Sequence, residues 1–132
     1  ERVGEELAQS SYSWKTLKHL GATVSNGSDC PVEQPNVLAG IQCAVTRCDR
    51  QGRGPYLKEQ AFTVQQALDS FTNWGAFSSF EEEIKGRIQP GMLADFTVLG
   101  QDPFAVEAGD LQHIPVRFVY LAGEQVFSLD GR

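Results

Sequence analysis

Val24-Ser25-Asn26-Gly27-Ser28-Asp29-Cys30-Pro31-Val32-Glu33 is the stretch on which the reading of this chain turns. It follows Gly21 with a short apolar run, breaks at Gly27 and Ser28, presents one acid and is stopped by Pro31. That pattern predicts a buried strand up to Asp29 and then a sharp turn. Parallel α/β folds keep their chemistry at the carboxyl ends of strands, so a carboxylate there is a candidate site residue. A loop aspartate capping a turn explains the same residues. On this stretch alone both readings stand.

On its N-terminal side, Ser13 to Leu20 predict a helix. Trp14, Leu17, Lys18 and Leu20 are spaced for one face, Ser11 or Ser13 can cap it, and Gly21 suits the position just past its end. Helix, glycine turn and strand make half of an αβ repeat. His19, in the last turn, complements the helix dipole and reads as structural rather than as a metal ligand.

On the C-terminal side, Asn36 caps a second helix carrying Val37, Leu38, Ile41, Ala44, Val45 and Cys48 at helical spacing. Asp49 to Tyr56 is a polar loop, and Arg47, Arg50 and Arg53 read as solvated surface. Thr63 and Gln66 form a capping box that opens the strongest helix, running to Phe80. Its stripe is Val64, Ala67, Leu68, Phe71, Trp74 and Phe77, and burial of each large side chain contributes ~1.5–3 kcal/mol before entropy. Glu81, Glu82 and Glu83 oppose the dipole at its end, which predicts fraying.

The texture changes at Lys85. Gln89-Pro90-Gly91 has the type II turn pattern. Asp95 to Leu99 reads as a strand, residues 104–115 as irregular with one short turn near Ala108 to Leu111. Val116 to Leu121 and Gln125 to Ser128 read as a hairpin through Ala122-Gly123-Glu124. The first half is thus α/β and the second a small antiparallel sheet, without internal repeats.

Composition narrows the function classes. A chain of 132 residues with a 41% hydrophobic fraction and a net charge of -6 fits one domain. No basic face suits nucleic acid, and no apolar run approaches the ~20 residues of a membrane span. The acidic start, Glu1-Arg2-Val3-Gly4-Glu5-Glu6, has no signal-peptide core. Cys30, Cys43 and Cys48 match no zinc or redox spacing; free thiols fit a reducing compartment, and the expected location is cytoplasmic.

Three segments together resemble a known family: Asn26 to Glu33, Ala44-Val45-Thr46-Arg47, and Ile84-Lys85-Gly86-Arg87-Ile88-Gln89-Pro90-Gly91-Met92-Leu93-Ala94-Asp95-Phe96-Thr97-Val98-Leu99. The last resembles the K-G-x-I-x-P-G-x-x-A-D-x-x-V-L signature of metal-dependent amidohydrolases. The first resembles the G-S-D-x-P-V-E turn of amidohydrolase family 3, the branch that includes formamide-deformylase-like enzymes. The resemblance implies the C-terminal quarter of a longer enzyme. Residues 1–83 would be the last part of a (β/α)₈ barrel, with helix 7 at 13–20, strand 8 at 22–28, helix 8 at 36–48 and a further helix after it. Residues 84–132 would supply the last strands of a small composite β-sandwich.

By the same resemblance, Asp29 matches the acid that binds the metal and takes the proton of the attacking water. A divalent metal, zinc being the expected one, lowers a water's pKa from ~15.7 to ~7. Glu33 is a candidate supporting residue, although a solvated loop glutamate explains it as well, and Cys30 could line the pocket. The implied substrate is a small amide-type molecule with a carbon–nitrogen, non-peptide bond. The other ligands belong to earlier barrel strands, and neither His19 nor His113 matches one, so this chain alone is expected to bind no catalytic metal and to be inactive. Cut barrel and sandwich edges favour self-association. A non-catalytic regulatory or scaffolding module is the alternative. Asn26, Cys30 and Trp74 depart from the family pattern, where small or apolar residues are expected.

Overall fold

The computed structural model describes residues 3–131; the first two residues of the acidic start and Arg132 lie outside them. Five helices lead into one sheet: α1 (Gly4–Ala8), α2 (Trp14–His19), α3 (Val37–Thr46), α4 (Val64–Phe71), α5 (Asn73–Ser78), then β1 (Phe96–Leu99), β2 (Val116–Leu121) and β3 (Glu124–Ser128). Two 3₁₀ turns, Lys58–Gln60 and Ala108–His113, join them. The sheet is antiparallel in the order β1-β2-β3.

Local signals formed what they predict. Asn36 Oδ1 accepts the Ala39 N–H at 3.1 Å and starts α3. Thr63 Oγ1 accepts the Gln66 N–H at 3.1 Å while Gln66 Oε1 accepts the Thr63 N–H at 3.0 Å, the reciprocal box that starts α4. Gly21 follows α2 at φ +94°. The Gln89 carbonyl accepts the Met92 N–H at 3.1 Å across Gly91 at φ +91°. The β2–β3 hairpin closes through Ala122 and Gly123, both at positive φ. An alanine is unusual there, and the Asp95 carboxylate offsets this by accepting the Ala122 N–H at 2.7 Å.

Four expectations are corrected. Residues 22–28 adopt no regular secondary structure and join no ladder; the sheet among the described residues contains only β1, β2 and β3. A strand exists through its neighbours, and the cross-chain backbone partner here is a helix: the Asn26 N–H donates to the Ser70 carbonyl at 3.0 Å. The helix expected from Thr63 to Phe80 is two, broken at Thr72 (φ −124°, ψ −98°). The break swings Phe77 outward, so the apolar stripe does not continue past Trp74. The glutamates are not a frayed helix end, because α5 stops at Ser78 and Glu81 instead pairs with Lys85 in the following turn. Finally, the acidic start holds a short helix, α1, that its residue pattern does not signal.

The core joins both halves. Ile41 and Leu111 are almost wholly buried beside Val24, Leu38, Phe62, Ala67 and Ile114, and Leu99 and Val116 pack against this cluster. Helix α3 lies against the Ala108–His113 turn, where the Gln112 N–H donates to Gln42 Oε1 at 3.0 Å. Trp74 meets Phe62 edge-on at 6.0 Å, and Lys18 Nζ stands 5.2 Å over the Trp74 ring, tying α2 to the same core. That contact occupies the position where a small residue was expected.

Candidate functional site

The turn after residues 22–28 presents every candidate residue singled out in the sequence. Asp29 lies at φ +50°, and its carbonyl accepts the Val32 N–H at 2.8 Å across the cis Cys30–Pro31 bond. The Glu33 N–H reaches back to the Ser28 carbonyl at 3.2 Å. These bonds fold Ser28 to Glu33 into a knuckle with Asp29, Cys30 and Glu33 all exposed on it. The exposed Asp29 carboxylate takes no hydrogen bond or ion pair among the described residues.

Glu33 behaves differently. Its Oε2 accepts Nη1 of Arg50 at 3.0 Å. Arg50 sits on the loop between Arg47 and Tyr56, which the sequence reading treated as plain surface. Asp49 organises that loop: Oδ1 accepts the N–H groups of Gln51 (2.9 Å) and Arg53 (3.0 Å), and Oδ2 accepts Arg53 Nε at 2.6 Å. Partial desolvation works to raise the Asp49 pKa, but these N–H groups and the Arg53 guanidinium outweigh it and hold the carboxyl below its ordinary value. No local sequence signal marks the Glu33–Arg50 pair, because the partners are 17 residues apart.

Between knuckle and loop lies a cavity of about 800 Å³, with Ser28, Glu33, Asn36, Cys43, Arg47 and Tyr56 in its wall. Asp29 is not part of that wall. Burial, and after it the nearby Glu33 charge, pushes the Cys43 thiol up, which makes it a poor nucleophile at neutral pH.

As a metal ligand, Asp29 fits one position: a free carboxylate is a suitable oxygen donor for a divalent ion. Among the described residues, no three His, Cys, Asp or Glu side chains gather to hold an ion. His19 ends α2, and His113 ends the second 3₁₀ turn beside Gln112. Asp29, Cys30 and Glu33 share one turn without forming such a cluster, and neither histidine joins them in one.

A sequence model described as the amidohydrolase family matches residues 1–127. The chain belongs to that family. It is 33% identical over 129 residues to YtcJ of Bacillus subtilis (strain 168), whose name provisionally calls it an amidohydrolase. It is 28% identical over 128 residues to the protein LONG AFTER FAR-RED 3 of Arabidopsis thaliana, and 28% over 109 residues to the N-substituted formamide deformylase of Arthrobacter pascens. These alignments cover 96%, 96% and 83% of this chain, but only 24%, 22% and 20% of the relatives. The amidohydrolase-family chain thus spans about a quarter or less of the length of these relatives. No solved structure matches it significantly.

The family match covers both the knuckle and the run from Ile84 to Leu99. Within that run the signature residues have local work. Gly86 lies so close to α5 that a Cβ there would stand 2.7 Å from Ala76 Cβ, and Asp95 secures the hairpin.

Proposed function

We propose that this chain forms the C-terminal part of a metal-dependent hydrolase of carbon–nitrogen bonds other than peptide bonds, with Asp29 as its proton-accepting acid and one of its metal ligands. The single observation that carries this is a carboxylate left unengaged on an exposed turn closed by two backbone hydrogen bonds. An aspartate whose role was to cap its turn would spend its oxygens on nearby N–H groups, as Asp49 and Asp95 do. The formamide deformylase relative points to small N-substituted amides as the substrate class.

When bound, a divalent ion, zinc by expectation, supplies the charge that acidifies the attacking water. Asp29 then takes one proton from that water and delivers it to the departing nitrogen, so the amine leaves neutral. Cys30 adjoins it on the turn, exposed and outside the wall of the cavity described above, and Glu33 supports the turn. In this reading residues 1–83 close a barrel and 84–132 complete a β-sandwich, and the remaining ligands come from chain outside these 132 residues. The isolated chain then has no turnover. The outer edges of β1 and β3, together with Phe80 and Ile88 at 91% exposure, favour association with further chain or with a second copy.

The test is Asp29→Asn in the native protein, with metal content and hydrolysis of a simple N-substituted formamide both measured. The expected result is a loss of metal and a fall in kcat of about 10²–10⁴-fold. Unchanged metal content and rate would leave the scaffolding alternative in possession.

A further inference from the structure

The knuckle that carries Asp29 has few fastenings. Residues 22–28 join no ladder, and within Ser28 to Glu33 two backbone bonds close the turn: Val32 N–H to Asp29 and Glu33 N–H to Ser28. Glu33 alone reaches out of it by side chain, to Arg50. Arg50 stands on a loop that is much better braced. The Asp49 N–H donates to Arg53 and the Gly52 N–H to Asp49, both at 2.9 Å. The loop mouth is shut by the Tyr56 N–H to the Arg47 carbonyl at 2.8 Å and by Arg47 Nε to the Tyr56 carbonyl at 2.9 Å. Asn26 anchors the run that enters the turn to Ser70, and on the exit side one ion pair, Glu33 to Arg50, ties the turn to the better-braced loop.

We propose that Arg50 is a positioning residue: it holds Glu33, and through Glu33 it sets the turn from Ser28 to Glu33 that presents Asp29. The catalytic consequence rests on the reading of Asp29 given above; the mechanical claim does not. Both partners are about half exposed (52% and 57%), so solvent and salt weaken the pair. Its leverage comes from where it acts. Loss of either charge frees the Glu33 side chain and leaves the two backbone bonds as the turn's closure. Asp29 then samples a wider set of orientations, and a metal ligand that must be ordered on binding binds less tightly.

The experiment compares wild type, Arg50→Gln, Glu33→Gln and the exchanged pair Glu33→Arg with Arg50→Glu, all in the native protein. Amide hydrogen exchange is read at Val32 and Glu33. Each single variant should exchange about two- to fivefold faster there, the range set by an exposed ion pair. The exchanged pair should return to within about twofold of wild type, because a purely packing role would not survive reversal of both charges. Raising salt should speed exchange in wild type and leave Arg50→Gln unchanged. Singles that match wild type, or an exchanged pair as fast as the singles, would overturn the proposal. Zinc affinity, measured on the same set, should weaken in the singles and recover in the exchanged pair. Asp29→Asn separates the two claims: undiminished zinc affinity in that variant removes Asp29 from the metal site, whereas exchange at Val32 and Glu33 judges the Arg50 clamp by itself.

Discussion

Asn26 and Ser70 hold each other by two hydrogen bonds across 44 residues of chain. The Asn26 N–H donates to the Ser70 carbonyl and Asn26 Nδ2 to Ser70 Oγ, each at 3.0 Å. Ser70 Oγ passes its own proton to the Ala67 carbonyl at 2.7 Å, so this wholly buried hydroxyl is satisfied as donor and acceptor. The break at Thr72 explains why the Ser70 carbonyl is available: carbonyls in the last turn of a helix lack intrahelical partners. The run toward Asp29 is thus attached to the end of α4.

Ser70→Ala should therefore destabilise the chain by about 1–3 kcal/mol, the cost of leaving the Asn26 amide unpaired in a part-buried place. Urea unfolding measures it. Pairing Ser70→Ala with Asn26→Leu should recover part of the loss, because no orphaned donor then remains.

This pair also shows where the sequence stops being informative. Asn26 stands where the resemblance led to the expectation of an apolar or small residue, and its partner is a residue no periodicity connects to it. Asn36 and the Thr63–Gln66 box were legible because cap and helix are three residues apart. The hairpin was legible from its β-rich runs and the glycine between them. The split at Thr72 was not, since the apolar stripe runs on through that position without marking the backbone break there. Asp29 was legible as a candidate through its place before Pro31, and its freedom from partners was not. Arg50 was invisible as anything but surface, because an ion pair between two loops leaves no spacing to read.

Gly86→Ala should be among the most damaging single-methyl changes in the chain. Gly86 sits at φ +93°, and a Cβ would lie 2.7 Å from Ala76 Cβ and 3.0 Å from Asn73 Cα. Dihedral strain and overlap together should cost at least about 2 kcal/mol. Gly91→Ala is the control: at φ +91° it has the same dihedral demand and nothing within 4 Å, so its smaller loss of stability isolates the dihedral part.

Thiol reactivity should follow exposure and burial. Cys30 is exposed on the knuckle, while Cys43 is half-buried with its pKa raised by burial and then by Glu33. Iodoacetamide at pH 8 should label Cys30 well before Cys43, as read by peptide mass mapping. Glu33→Gln removes a carboxylate that disfavours the thiolate and should speed the labelling of Cys43. Equal rates for Cys43 in both proteins would place its thiol out of reach of that charge.

Acid should open the loop that braces Arg50. The folded Asp49 carboxyl sits below its ordinary value because the N–H groups of Gln51 and Arg53 and the Arg53 guanidinium outweigh desolvation. The folded loop therefore binds a proton less readily than the unfolded one. Its contribution is complete above the unfolded value of about 3.9, and it is lost as pH falls through the lowered folded value. Amide proton shifts of Gln51 and Arg53, followed from pH 6 to pH 2, should titrate together with a midpoint below about 3.9. Asp49→Asn should abolish that transition. A shared midpoint at or above the unfolded value would mean that the carboxylate does not hold these amides in solution.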